Sequence, residues 1–400
     1  MFQPLKGMRV VDLSQVLAGP YATYLLALMG AEVIKIEKPG EGDWTRRTGL
    51  TPELAGQGMA LNFMTQNAGK KSVTINLKTP EGKELARKLT ASADVFVENF
   101  KPGVAQRLGF GFGDVRALRS DIVYCSISAF GQNGPMSPRP AYDHVIQGMC
   151  GIMLTTGKPG SGPTKVGAPY VDFATGMNAA MAVMAGLMEV QRTGEAVQVD
   201  VAMLDTALML MASLMTQHMS AGWQPAQNGN EAWSASPSSG AFETAQGVLM
   251  LAANNDAQFR KLCDAIGRSD ILEDPRWQTQ AARKQNGLSL RDSLSRTFLG
   301  GTASEWETML EKAQVPAAKV RSLDETLAEP QIAARGLLSE MQISGHDGAV
   351  HLPSMSFRAN GESVAPQTPP PVLGADTESV LGELGIDRTA FDKLRAAGAV

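Results

Sequence analysis

The sequence predicts an α/β protein, a Rossmann-like domain on a mostly parallel sheet followed by a smaller α+β domain. Three observations carry this. Short Val- and Ile-rich runs alternate with helical patterns through the first two hundred residues, the sequence form of right-handed crossover units. Periodicity then fails across residues 221–239, where turn formers dominate. The chain is 400 residues long, and a single core serves roughly 150.

Residues 8–13, 32–37, 72–77, 94–98 and 121–128 read as strands. Residues 20–30 and 80–91 read as helices that begin with proline, whose missing N–H costs nothing in a first turn. A helix is expected over 141–154, then a Gly/Pro/Ser loop over 155–170. The apolar helix 172–191 follows, with Met181, Met184 and Met188 at helical spacing, a stripe that suits core or a subunit interface. Strand 197–201 and helix 202–219 complete a large domain, 1–220. In the smaller unit, 221–330, a linker and lid-like loop (228–239) leads to a hairpin at 241–244 and 248–252. Helices follow at 256–266, 282–298 and 303–312. The segment 331–400 holds a stiff proline stretch, 366–371, and short helices within 377–397; it is expected to return to the large domain.

Composition narrows the function. A chain with 44% hydrophobic and 19% charged residues buries a core and is not disordered. The 36 basic and 40 acidic residues give −4 with no basic run, so whole-molecule attraction to nucleic acid or an anionic membrane is not expected. A polyanionic ligand needs a local cluster. Three scattered cysteines suit a reducing compartment, and four histidines lack metal-site spacing, so no metal is expected. Lys6, Arg9 and Asp12 interrupt any leader, and the apolar stretches 177–188 and 201–215 look too short or broken to span a bilayer; a cytoplasmic protein is the expectation.

Motifs taken alone settle little. No G-x-G-x-x-G follows the first strand, and there is no G-x-S-x-G. Lys35, Lys38, Lys70, Lys71, Lys78, Lys101, Arg107 and Arg139 lie at or beside strand ends. Such positions are ordinarily solvated, yet they share the rim where a ligand with several phosphates would sit. Asp172 opens the apolar helix and reads either as an N-cap or as a carboxylate nucleophile kept ionised by the helix terminus, with Gly176 leaving room for a substrate. Spacing leaves both readings open.

Residues 7–20 (GMRVVDLSQVLAGP), 30–40 (GAEVIKIEKPG), 98–103 (ENFKPG), 128–135 (SAFGQNGP), 171–176 (VDFATG) and 192–201 (RTGEAVQVDV), in this order, resemble the family III CoA-transferases of the CaiB/BaiF and formyl-CoA transferase type. The resemblance covers essentially the whole chain. It implies an acyl-CoA:carboxylate CoA-transferase, with Asp172 carrying CoA as an aspartyl thioester. Coenzyme A thioesters and a small carboxylic acid would be the substrates, with no permanent cofactor. It further implies CoA contacts at Val16, Ala18, Lys38, Ile75, Lys78, Asn99, Phe100, Arg107 and Arg139, and a carboxylate-orienting role for Tyr142. Leu17 stands at the acyl site where the formyl-CoA branch has glutamine. An interlocked homodimer is implied as well. Two alternatives compete: an α-methylacyl-CoA racemase, whose His–Asp order is here reversed as Asp143-His144, and a CoA-binding protein without turnover.

Overall fold

The computed structural model describes residues 2–343, 346 and 348–400. The chain forms two compact units, one of Met1–Met153, Lys165–Gln224 and Pro330–Val400, the other of Leu154–Thr164 and Pro225–Glu329.

The first unit is built on β1 (Arg9–Asp12), β2 (Glu32–Glu37), β3 (Lys71–Thr74), β4 (Val95–Glu98), β5 (Val123–Ser128) and β6 (Val197–Ala202). Their order is β3-β2-β1-β4-β5-β6, and every neighbouring pair is parallel. The chain winds outward from β1 to one edge, then restarts beside β1 with β4. The connections leaving β1 and β4 therefore diverge and open a crevice at the carboxyl ends of these strands. Strands β4 and β5 are buried throughout, which is why their sequences lack polar alternation. Phe96 stacks on both Phe110 and Tyr124 beneath the sheet.

β3 stops at Thr74, short of the expected 72–77, because its partner β2 ends at Glu37, whose carbonyl accepts from the Ile75 amide at 2.8 Å, and the C-terminal segment binds the outer edge of β3. Thr377 Oγ1 accepts from the Thr74 amide at 3.0 Å, Asp376 Oδ2 from Ser72 at 2.9 Å, and the Ala399 carbonyl from Asn76 at 2.8 Å. That segment covers what would be an open sheet edge.

Three helices place the site: α1 (Ala18–Leu28), α2 (Asp143–Cys150) and α3 (Tyr170–Thr193). α1 is buried along nearly its whole length. α3 packs on it through a missing side chain. A Cβ on Gly176 would stand 2.7 Å from the Ala18 carbonyl oxygen and 2.9 Å from Tyr21 Cδ1. Phe173 meets Tyr21 edge-on with centroids 4.8 Å apart. At 24 residues, with an 18-residue stretch of mean hydropathy 1.3, α3 is by length and composition able to cross a membrane, contrary to the expectation from 177–188.

Two expected helices are divided. The 202–219 stretch forms Met203–Met209 and Ala212–Ala221, and 282–298 forms part of Gln280–Gln285 and Gly287–Phe298, broken at Asn286. In the second unit, β7 (Ser239–Glu243), β8 (Val248–Ala252) and β9 (Ala317–Lys319) form an antiparallel sheet over a core containing Phe242, Leu249, Phe259 and Phe298. Residues 154–164, assigned by sequence to the large domain, belong here: Gln227 Nε2 donates to the carbonyls of Thr156 and Gly162 at 2.7 and 2.6 Å. The lid-like stretch is tied down within the same unit, where the hydroxyls of Ser234 and Ser239 both donate to Asn254 Oδ1.

Candidate active site

A cavity of about 400 Å³ opens at the crevice between the ends of β1 and β4. Residues 15–18 after β1, 99–102 after β4, 127–129 at the end of β5, 139–142 and Met203 line it together with Asp172. Four strands thus contribute through their carboxyl ends, where a doubly wound sheet collects ligands. Sequence resemblance anticipated Val16, Leu17, Ala18, Asn99, Phe100, Arg139, Tyr142 and Asp172, and the fold brings all of them to this one cavity. Gln15, Lys101 and Met203 were missed as site residues, although Lys101 belonged to the series of basic positions at strand ends.

Asp172 lies in the first turn of α3, half-buried. It does not cap its own helix. Asp143 Oδ2, reaching across from the first turn of α2, accepts from the amides of Val171 at 2.8 Å and Asp172 at 3.1 Å. Asp143 is fixed in turn by Gln147 Nε2 at 2.6 Å, and Gln147 Oε1 accepts from the Val166 amide at 2.9 Å. The cap reading of Asp172 is therefore corrected, and its carboxylate has no hydrogen-bond partner among the described residues. Its protonation is corrected as well. Burial, aided by the negative charge of Asp143, pushes the Asp172 carboxyl up to about 7 rather than holding it low. Asp143 has taken the amides that would have stabilised the anion.

Val16 on the cavity wall has φ 75°, the left-handed region that a β-branched residue avoids at a cost of ~1–3 kcal/mol. Next to it, α1 begins at Ala18 without a side-chain cap; Pro20 has no N–H and the Tyr21 amide donates to the Leu17 carbonyl at 2.8 Å, which leaves the amides of Ala18 and Gly19 without a side-chain acceptor. Tyr142 is 61% exposed and stacks on the exposed ring of His144. Arg139 is exposed, with its guanidinium 5.9 Å from the centre of the Phe130 ring.

The other expected positions lie elsewhere. Gly176 is not on the cavity wall; its open face is filled by α1, so it serves helix packing rather than substrate approach. Ile75 is a core side chain, fully buried with Val73 and Leu85, and offers a ligand no side-chain surface. Asn99 does line the cavity, but its side-chain amide is occupied on both sides by the backbone of Gln15, at 2.9 and 2.7 Å. Arg107 is exposed on the short helix Val104–Leu108, away from the cavity lining. Lys38 pairs with exposed Glu41, whose carboxyl is held below its ordinary value first by that hydrogen bond and charge, then by Lys78 and Arg47. Lys38, Lys78 and Arg47 are all exposed, and the charge of each acts on the Glu41 carboxyl. Arg47 had no sequence signal, since it follows no strand.

The model for CoA-transferase family III matches residues 5–377. The chain is 37% identical over 396 residues, 97% of either sequence, to a succinate–glutarate CoA-transferase of Agrobacterium fabrum. It is 34% identical to the succinyl-CoA:glutarate CoA-transferase of Mus musculus, across 100% of this chain and 90% of that protein. Among solved structures, a CaiB/BaiF family protein from Brucella suis superposes with a TM-score of 0.83 at 33% identity, covering 96% of this chain and 100% of that one. With this agreement along its whole length, the chain belongs to CoA-transferase family III and is an acyl-CoA:carboxylate CoA-transferase.

Proposed function

We propose that the enzyme transfers CoA from a succinyl-CoA-type donor to a small carboxylic acid through an aspartyl-CoA thioester on Asp172. The carrying observation is a carboxylate on the cavity wall without hydrogen-bond partners among the described residues, its helix terminus capped by a different residue. The named activities of the relatives support the donor class.

In the first half-reaction the ionised Asp172 attacks the thioester carbonyl, and the tetrahedral adduct expels CoA thiolate to leave a mixed anhydride. The thiolate then attacks the aspartyl carbonyl, forming the thioester and releasing the donor acid. An acceptor carboxylate attacks that thioester, again expelling thiolate. The thiolate attacks the acceptor acyl carbon, restoring Asp172 and giving the new acyl-CoA. One thioester is exchanged for another, so no outside energy source enters. Each adduct places negative charge on a carbonyl oxygen, and the uncapped amides of Ala18 and Gly19 at the start of α1 supply donors for it. Lys38, Arg47 and Lys78 hold the phosphates of CoA.

A racemase needs a His–Asp pair free to exchange an α-proton. Here Asp143 is engaged by two helix amides and Gln147, and His144 faces solvent, so the transferase reading is preferred. We further infer an interlocked homodimer in a reducing, cytoplasmic setting. Met177, Met181 and Met188 expose 51%, 65% and 71% of their surface along one helix, a face suited to a second subunit, and the three cysteines are free and buried. The functional test is direct: incubate with succinyl-CoA, quench with hydroxylamine, and map the peptide bearing Asp172 by mass spectrometry. A hydroxamate on Asp172 is expected; an unmodified peptide during active turnover refutes the intermediate.

A further inference from the structure

The loop between β1 and α1 is held by more side chains than its length requires. Val16 is left-handed, and side chains from two other segments grip its peptide groups. Asp43 Oδ2 accepts from the Val16 amide at 3.1 Å, and Gln66 Nε2 donates to the Val16 carbonyl at 2.6 Å. The residue before it is paired on both sides by Asn99. The carbonyl of Ser14 accepts from Lys35 Nζ at 2.6 Å, and the same ammonium stands 3.1 Å from Asp43. Lys35 and Asp43 are fully buried, and Gln66 is 2% exposed. Asp43 also binds the amide and hydroxyl of Thr45, and its own amide donates to Glu37, so its orientation is fixed from several directions.

Of these gripping side chains, Asn99 lines the cavity itself, whereas Asp43, Gln66 and Lys35 reach it only through the loop. Gln66 and Asp43 are absent from the lining, whereas Gln15, Val16, Leu17 and Ala18 form one wall of it. A loop whose only task was to join β1 to α1 would place glycine or asparagine where φ is positive. Valine there means that the surroundings impose the conformation.

We propose that Gln66 and Asp43 are positioning residues for CoA transfer: they clamp Val16 in its left-handed state and thereby set Leu17, Ala18 and the first turn of α1 on the wall shared with Asp172. The role in transfer rests on the function proposed above; the clamp itself is independent of it.

Asp43 is a poor first variant, because its loss leaves Lys35 buried without its partner. Gln66→Met keeps the volume and removes the single side-chain hydrogen bond that Gln66 makes among the described residues. Glycine at 16 adopts the same φ without a clamp, so Gln66→Met is measured with valine present and in a Val16→Gly background. With valine, kcat/KM for succinyl-CoA falls about 10-fold, and in the Val16→Gly background the same substitution costs less than about 2-fold. Equal losses in both backgrounds overturn the proposal, since a residue that merely supports the fold does not distinguish valine from glycine. Hydrogen–deuterium exchange of the peptide covering 13–19 provides a reading without turnover. Exchange accelerates in Gln66→Met with valine and changes little when glycine is present; the same acceleration in both backgrounds, or none in either, refutes the clamp. If wild-type protein transfers no CoA, the functional reading falls, and exchange alone decides the clamp.

Discussion

Asp172→Asn tests both the burial of the nucleophile and its proposed role. The folded protein holds the Asp172 proton up to about pH 7, while an ordinary aspartate releases it at 3.8. Between those values the folded state binds the extra proton, so the ionisable side chain lowers stability progressively as pH rises through this window. At 1.36 kcal/mol for each pH unit, the ceiling is roughly 4 kcal/mol at pH 8 and roughly 1.5 kcal/mol at pH 5. Water in the open cavity reduces both, to about 2 and under 1 kcal/mol. Asparagine occupies the same space without the charge, and because Asp143 caps α3 the substitution removes no cap. The variant therefore melts about 4 °C above wild type at pH 8 and within about 2 °C at pH 5, at roughly 2 °C per kcal/mol. Differential scanning fluorimetry across pH 4–8 measures this, and CoA transfer is abolished throughout. A melting difference that does not change with pH, or one that is negative at pH 8, refutes the account of why this carboxyl is raised.

Further outcomes follow from the same geometry. The kcat/KM for acyl-CoA rises with pH through a single ionisation near 7, because only the anion of Asp172 attacks, and Asp143→Asn moves that ionisation downward by removing the neighbouring charge. Gly176→Ala drives a methyl group into the Ala18 carbonyl and Tyr21, costing ~1–3 kcal/mol in stability and about 10-fold in kcat as α3 moves off α1; melting and steady-state kinetics report both. Removing Lys38, Arg47 and Lys78 together raises KM for acyl-CoA about 10-fold or more while kcat changes little, and the wild-type KM rises with added salt.

How far the sequence discloses this site depends on the physical signal each residue leaves. The central strands are legible because a sheet buried on both faces needs continuous Val/Ile runs, the edge strand β6 is legible from its alternation, and Pro20 and Pro80 mark helix starts. Asp172 is legible only within its motif, VDFATG; alone it reads equally as a cap. The true cap, Asp143, lies 29 positions away and reaches the helix only after folding. Arg47 comes within electrostatic reach of Glu41, as Lys38 and Lys78 do, through the turn at Trp44–Arg47, which no hydrophobic period announces. Val16 is hidden most completely, since valine is a residue that argues against a left-handed turn.

The arrangement around Asp172 also accounts for why its environment runs against ordinary stability. A helix terminus normally lowers the pKa of an acid in its first turn. Here that capacity is spent on Asp143, which receives two of the terminal amides, while Asp172 is left against a partly buried wall and beside a like charge. For structure alone this placement is a loss. For the proposed nucleophile, which would pass through two mixed anhydrides and a thioester in each turnover, it is useful, because a carboxylate tied up by amides would be a weaker attacker and a poorer match to the changing charge of the adduct. The same logic applies to the valine turn across the cavity. In both places the fold accepts a local cost at the cavity where the acyl group is proposed to react, and it offsets that cost with buried partners, Gln147 behind Asp143 and Lys35 behind Asp43, that lie outside the cavity lining.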